Sequence, residues 1–307
     1  MKLPKISIVT PSFNAGKYID ETIHSVLSQD YPNYEYFVMD GGSTDNTVEI
    51  LKKWDAQIND KSKFNWISEK DKGQTDAINK GLRRCSGDWF AYLNADDTFE
   101  PGVFSRIAPL MAENPESGVI YGNINVIYEG LGKEYDLLKV PEANIDFDSM
   151  LYGNQVFGPA SFYNMKAFRR VGEFDETLYH WMDWDMYLRI AKIMPFKYVN
   201  LTVSTFRISP TMKSPSNPDN TVAYKRFQRE AHQVSVRHGG KYFSVKWLEQ
   251  FALYGRYKYY LRIIYKEESV IRHDKLDGAE INPYFMACTL LIHILSIPVR
   301  FILKMLS

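Results

Sequence analysis

The chain has 307 residues, 45% of them hydrophobic, enough for one large domain or one domain with an appendage. Lysine plus arginine and aspartate plus glutamate both number 37, so the overall charge gives no electrostatic case for nucleic acid. Residues 241–307 hold 10 basic and 6 acidic residues, a net of +4 against −4 on residues 1–240, which marks the C-terminal segment as a distinct basic piece. Cys85 and Cys288 form no metal or redox spacing, the pattern of a reducing compartment. "MKLPKISIVTPSFN" lacks an apolar h-region and predicts no signal peptide.

In chain order, Ile6-Ser7-Ile8-Val9 reads as a short buried strand ended by "TPSFNAGK". Tyr18, Ile19, Thr22, Ile23, Val26 and Leu27 then recur at helical spacing. Tyr36-Phe37-Val38-Met39 is a second strand, stopped by "DGGSTDNT", where Gly41 and Gly42 permit a tight turn and Ser43, Thr44 and Asp45 can cap a helix. Trp66-Ile67-Ser68 is a third strand, "TDAINKGLRR" a helix, and "GDWFAYLNADD" a fourth strand running into two adjacent carboxylates. Apolar strands alternating with amphipathic helices predict an α/β fold with a mostly parallel sheet covered on both faces. Ligands in such sheets bind beyond the carboxyl ends of the strands. Asp40, Asp71, Asp96 and Asp97 all fall on that edge.

Beyond residue 118, "GVIYGNINVIYEG" reads as paired strands, "VFGPASFYNMKAFRRVGEFDETL" as strand, helix and turn, and "DWDMYLRIAKI" as a helix. Ser209–Asn220, rich in Pro, Ser and Asn, reads as a loop. Further helices are expected over 220–238 and 242–265, with a last one from near Pro283 towards Ser307.

Several chemistries are excluded by the absence of their signatures. No G-x-x-x-x-G-K-[ST], no G-x-G-x-x-G after the first strand, no H-E-x-x-H and no G-x-S-x-G occurs. Acids at strand ends remain. A hard divalent cation such as Mg²⁺ takes one or two carboxylates plus diphosphate oxygens, and "NADD" supplies a pair.

"ISIVTPSFNAGKYIDETIHSVLSQDYPNYEYFVMDGGSTDNTVEIL", "SEKDKGQTDAINKG" and "GDWFAYLNADD" resemble the family 2 glycosyltransferases, inverting enzymes of the GT-A fold, over residues 5 to about 208. The resemblance implies a glycosyltransferase domain over 1–215, with a nucleotide-binding half (1–118) and an acceptor-binding half (119–215). Beyond the resemblance, residues 216–307 read from their pattern as a C-terminal helical extension. By the same resemblance, Thr10, Pro11 and Phe13 lie under the nucleotide base, Asp40 sits beside base or ribose, and Asp71 completes that pocket. Lys80 and Arg207 are expected at the diphosphate, Asp96 as the ribose-contacting acid and a metal ligand, and Asp97 as the principal ligand of Mn²⁺ or Mg²⁺. Asp183 resembles the catalytic base, ahead of Asp185, and Trp184 walls the acceptor site.

Two departures stand out. Gly41 occupies a position that is Asp in many members ("DDGS"), moving a uracil contact towards Asp71. Ser209 stands where members carry the His of "FR-x-H", leaving Arg207, or His180 if the fold brings it close.

Ile281 to Val299 contains no charged residue, yet Thr289, His293, Ser296, Arg300, Lys304 and Ser307 form one polar stripe at helical spacing. That pattern suits a helix lying in a membrane interface. "YGRYKYYLRIIYK" upstream suits an anionic lipid surface, while burial in a core or a homodimer is the bland alternative.

The expected protein is thus a cytoplasmic enzyme, peripheral at the inner face of the plasma membrane. It would take a nucleotide-diphosphate sugar, UDP-linked by preference, and a saccharide or lipid-linked saccharide acceptor. The rivals are a catalytically silent nucleotide-sugar binder or membrane scaffold of the same fold, and a sugar-1-phosphate nucleotidyltransferase, whose Gly-rich basic N-terminal loop "TPSFNAGK" does not match.

Overall fold

The computed structural model describes residues 3–58, 60–129, 134–138, 145–209 and 221–241. The chain divides into two units, Met1–Met150 with Asn154–Val234 and Leu151–Gly153 with Ser235–Ser307. In chain order the elements are β1 (Ile6–Ser12), α1 (Ile19–Leu27), β2 (Tyr34–Asp40), α2 (Thr47–Gln57), β3 (Phe64–Ser68), α3 (Gln74–Leu82), β4 (Trp89–Tyr92), β5 (Thr98–Phe99) and α4 (Val103–Glu113). They continue with β6 (Val119–Tyr128), β7 (Glu134–Leu138), α5 (Phe147–Met150), β8 (Ser161–Asn164), α6 (Met165–Val171), α7 (Met182–Ala191), β9 (Phe196–Ile208) and α8 (Thr221–Arg237).

One mixed sheet in the first unit has the order β3-β2-β1-β4-β8-β6-β9-β5, with β7 on β6. β3, β2, β1 and β4 are mutually parallel, and β6 and β9 run the same way; β8, β5 and β7 run against their neighbours. All seven positions of β1 are buried, because helices cover both of its faces. One layer of the core joins Ile6 and Ile8 of β1 and Tyr36 and Val38 of β2 to Ile19, Ile23 and Val26 of α1 and Leu51 of α2. The apolar positions of α1 fall at i, i+4 and i+7, the stripe that buries one helix face. Phe99, Phe104 and Phe162 extend the core beneath the far half of the sheet.

One expectation changes, and one strand goes beyond the sequence reading. Residues 119–128 form a single strand instead of a pair, its register shifting around Gly122 and Asn123. Asn123, which breaks the apolar pattern, is buried and accepts a hydrogen bond from the Tyr198 hydroxyl at 3.1 Å. The 13-residue β9 had no sequence signal strong enough to read, because its inward Val199, Leu201 and Val203 alternate with Asn200 and Thr202 over only half its length.

In the second unit the described residues are 151–153 and 235–241, where the Lys241 N–H donates to the Tyr152 hydroxyl at 3.0 Å. No helix among the described residues is long and apolar enough to cross a membrane. The expected helices over 242–265 and from Pro283, with their membrane and dimer roles, lie outside the described residues.

Candidate active site

The parallel register puts Ser12, Asp40 and Ser68 side by side at the carboxyl ends of β1, β2 and β3. Asp40 is only 2% exposed. Its Oδ2 accepts from the N–H of Gly42 and Ser43 at 3.2 and 3.0 Å and from the Ser68 hydroxyl at 2.6 Å. The turn closes because Gly42 takes φ +82°, a left-handed value that side chains resist. A Cβ on Gly41 would meet the Asp71 carboxylate at 2.6 Å. Asp71 therefore fills the volume that an acid at position 41 would claim. Burial pushes the Asp71 carboxyl above its usual value, and Asp76 and Asp40 add to this against the Gly73 N–H and Lys80.

The loop after β1 is stitched to the loop after β2. The Asn14 N–H donates to Ser43 Oγ at 2.7 Å, the Thr44 N–H to Asn14 Oδ1 at 2.9 Å, and the Gly16 N–H to Asp45 at 2.9 Å. The Phe13 ring is left 64% exposed on this pinned backbone. Thr10 is different: it is fully buried, and its hydroxyl accepts from the Tyr36 hydroxyl at 2.9 Å. Its side chain packs inside the sheet and Pro11 is buried as well, so of the three residues expected under the base only Phe13 faces outward.

The acid pair lies just past β4. Asp97 has no exposed surface. Its Oδ1 accepts the Arg207 backbone N–H at 3.0 Å and its Oδ2 the Asn94 side-chain amide at 2.9 Å, while Asn94 Oδ1 accepts from Gln74 at the start of α3 at 2.7 Å. Asp96 is half-buried and is the member of the pair with access to the surface. Burial drives both carboxyls upward, Asp97 strongly, and the Asp96 charge raises Asp97 further, outweighing the hydrogen bonds from Arg207 and Asn94. The Arg207 guanidinium donates to the Asp96 carbonyl at 3.1 Å, pairs with Glu21 at 2.7 Å and lies 5.1 Å over the Tyr18 ring. Lys80 is held by Glu69 at 3.2 Å, Asp76 at 3.4 Å and the Lys70 carbonyl at 3.2 Å.

Asp183 stands half-buried in the first turn of α7. Its Oδ1 accepts the Trp184 N–H at 2.7 Å and its Oδ2 lies 3.4 Å from the Asn154 amide. Asp185, by contrast, is buried against Arg189 at 2.8 Å. The Tyr92 phenol at the end of β4 feels the negative charges of both Asp183 and Asp97, which add to its burial in raising its pKa. Tyr92 stacks on Tyr163, and Tyr163 donates to Tyr187, whose hydroxyl donates to Ser161. Asp71 lies against Gly41, next to Asp40; the Gln74–Asn94–Asp97 hydrogen bonds link the start of α3 to the acid pair, and the Thr75 hydroxyl, next to Gln74, lies 3.0 Å from the Met182 sulfur, next to Asp183. Trp184 is not an open wall: it is 2% exposed, and its indole N–H donates to the Met150 carbonyl at 2.8 Å. His180 packs its ring on Phe227, 5.3 Å away.

Sequence reading gave no role to Gln74, Tyr92, Asn94 or Asn154. Asn94 alone carried a signal, since Asx side chains at a turn bond groups a few residues on, as the Asn94 amide does to Asp97 Oδ2 at 2.9 Å. Among the described residues no three His, Cys, Asp or Glu side chains converge on one metal position. Of the pair, Asp96, with its access to the surface, is the acid that fits a hard divalent ion whose shell diphosphate oxygens would complete, since both Asp97 oxygens are already bonded.

Chondroitin synthase of Escherichia coli is 27% identical over 202 residues, covering 65% of this chain but 28% of the synthase. A PGL/p-HBAD biosynthesis glycosyltransferase of Mycobacterium tuberculosis is 25% identical over 209 residues, 67% of this chain and 78% of the relative. The fold matches that of S. aureus TarS 1–349 in complex with UDP-GlcNAc, with TM-score 0.58, 16% identity and coverage of 82% of this chain and 81% of TarS 1–349. It also matches a mannosyltransferase of Pyrobaculum calidifontis in complex with GDP-Man and Mn²⁺, with TM-score 0.59, 16% identity and coverage of 78% and 66%. Residues 7–172 match the family described as "Glycosyl transferase family 2". With its sheet, its strand-end acids and this match over more than half its length, the chain belongs to glycosyl transferase family 2, on a GT-A fold.

Proposed function

We propose that the protein is an inverting glycosyltransferase that moves a sugar from a UDP-sugar to a hydroxyl of a saccharide or lipid-linked saccharide. The observation that supports this most directly is the set of buried, hydrogen-bonded acids at the carboxyl ends of β2 and β4, Asp40 on Ser68 and Asp97 on Asn94, in a chain of glycosyl transferase family 2. Phe13 offers its exposed ring to the base, and Asp71 replaces the acid missing at Gly41 as the polar contact there.

Asp96 would hold a Mn²⁺ or Mg²⁺ ion, with Asp97 behind it as a buried counter-charge; Asp97 as principal ligand suits its burial and its two occupied oxygens less well. When bound, such an ion acts as a Lewis acid towards the departing diphosphate. Arg207, fixed beside Asp96, adds positive charge, while Lys80 serves the rim through its own acids. Asp183 takes the proton of the acceptor hydroxyl as that oxygen attacks the anomeric carbon, and the nucleoside diphosphate leaves from the opposite face. A single displacement of this kind inverts the anomeric centre. Support for a nucleotide-sugar donor comes from the UDP-GlcNAc and GDP-Man complexes of proteins that share the fold.

The test is a thermal-shift panel of UDP, GDP, CDP and ADP with Mn²⁺, followed by nucleotide release from the matching sugars. UDP should give the largest shift; a clear preference for another nucleotide overturns the donor assignment. Residues 283–307 would attach the enzyme to the cytoplasmic face of the membrane, and their deletion should move it to the soluble fraction.

A further inference from the structure

The family match ends at residue 172, so both Asp183 and α8 lie beyond it. Within the first unit, α8 grips the three residues that lead into the Asp183 helix. Glu230, 7% exposed on α8, accepts the Tyr179 N–H at 3.2 Å and the His180 N–H at 2.7 Å. Arg226, one turn earlier, pairs with the same carboxylate at 3.2 Å and lays its guanidinium 4.1 Å over the Tyr179 ring. Between them, the Phe227 carbonyl accepts the Trp181 indole N–H at 2.9 Å, and the Phe227 ring packs 4.4 Å from Trp181. Trp181 in turn meets Trp184 at 5.3 Å, with Asp183 between the two in sequence.

A buried carboxylate is costly unless its acceptor capacity is used. Glu230 spends that capacity on the backbone of one loop, where the hydrogen bonds fix main-chain position and leave the side chains to other work. Charge-assisted bonds of this kind are among the stronger ones a protein makes. Simple packing of α8 would need only the apolar contacts of Phe227.

We propose that Glu230 is a positioning residue for Asp183: through the Tyr179 and His180 amides it sets the height at which α7 presents its first-turn acid to the acceptor. The proposal rests on Asp183 acting as the base. A displacement of about 1 Å in such a group costs up to about 100-fold in rate, whereas donor binding, made by the loops after β1, β2 and β4 and not by α7, should not feel it.

The experiment compares full-length wild type with Glu230→Ala, Glu230→Gln, Trp181→Phe and Asp183→Asn. Hydrogen exchange is followed in the peptide covering residues 178–184. Nucleotide release is measured from UDP-GlcNAc and from GDP-mannose with Mn²⁺. Glu230→Ala should speed exchange at Tyr179 and His180 and lower kcat by about 10- to 100-fold, with KM for the nucleotide sugar unchanged within about twofold. Glu230→Gln keeps an acceptor oxygen and should recover most of the rate. Trp181→Phe removes only the indole bond and should fall between them, which keeps the test valid if Glu230→Ala folds poorly. Faster exchange with undiminished kcat, or unchanged exchange, overturns the positioning role. Asp183→Asn with wild-type turnover would instead remove the base itself, and it should leave exchange in this peptide as in wild type.

Discussion

The edge formed by residues 10–97 and the region carrying Asp183 are built by different rules. The first is a series of strand-to-helix turns. Each acid there ends its strand or lies in the loop just after it, and the loops are stitched to one another across about 30 residues, as in the Asn14–Ser43 and Asn14–Thr44 bonds. The second is assembled from pieces remote in sequence: Tyr92 from β4, Asn154 from the segment after α5, Tyr163 from β8 and Tyr187 from α7. Its precision comes from aromatic packing and shared hydroxyls rather than from turn chemistry. Two acids proposed for one reaction are thus held by unlike means, and their substitutions should fail in unlike ways.

The largest effects should separate the two regions cleanly. Asp183→Asn is expected to lower turnover by roughly 10²–10⁴-fold, the usual worth of a general base, while UDP binding in the presence of Mn²⁺ stays intact. Asp96→Ala should lose metal-dependent nucleotide binding and turnover together. Calorimetry alongside nucleotide-release kinetics reads both. If Asp183→Asn abolished nucleotide binding as well, the proposed division of labour between the regions would be wrong.

The next effect tests the packing. A Cβ at Gly158 would lie 1.8 Å from the Tyr92 hydroxyl oxygen, with the neighbouring ring carbon at 2.6 Å. Gly158→Ala should therefore cost about 1–3 kcal/mol from overpacking, a fall of roughly 2–4 °C in Tm for each kcal/mol in a domain of this size. Tyr92→Phe removes the clashing oxygen. The double variant should be more stable than the sum of the two single changes by at least about 0.5 kcal/mol, the coupling expected of residues in contact. Strictly additive melting temperatures would mean that the phenol does not fill that space in solution.

How much of this was open to a reader of the sequence follows from the same contrast. β1, β2, β3 and β4 announce themselves as short apolar runs with polar stops, and the placement of Asp40, Asp71 and Asp96 follows from those stops. Periodicity also marked α1, α3 and α7. It failed for β6, whose Asn123 looks like a turn residue but is a buried acceptor for Tyr198, and for β9. Burial of individual polar groups was equally hidden. Nothing in "TPSFN" says that Thr10 faces Tyr36 while Phe13 faces outward, and nothing in "HWMDWDMYLR" says that Trp184 reaches back to Met150. Those facts depend on which segment lies opposite, which spacing along the chain does not encode.

Electrostatics supplies a smaller test on the donor edge. Asp71, Asp96 and Asp97 all have carboxyls raised above their ordinary values, burial being the main cause in each. The folded chain therefore holds more protons than the unfolded chain between about pH 4, where free carboxylates titrate, and the raised values. Unfolding free energy should fall as pH rises through that window. Melts in EDTA from pH 5 to pH 8 should show this decline, and Asp97→Asn should flatten it. Mn²⁺ competes with the proton for these oxygens, so its stabilising effect should grow with pH. A Mn²⁺ shift independent of pH would argue that the ion binds elsewhere.

The smallest expected effect concerns Phe13. Its ring is exposed on a backbone pinned by the Asn14–Ser43, Asn14–Thr44 and Gly16–Asp45 bonds, so it can stack on a base without first being ordered. Ring stacking of this kind is worth about 0.5–1.5 kcal/mol beyond the area it buries. Phe13→Ala should thus weaken UDP binding by roughly 2- to 12-fold, with Tm unchanged in the absence of nucleotide because little packing is lost. Phe13→Tyr should bind as well as wild type. Calorimetric titration of UDP with Mn²⁺ into all three proteins measures it. Unaltered affinity in Phe13→Ala, beside a loss in Asp96→Ala, would place the base away from this loop and leave the diphosphate as the only part of the donor that the strand ends hold.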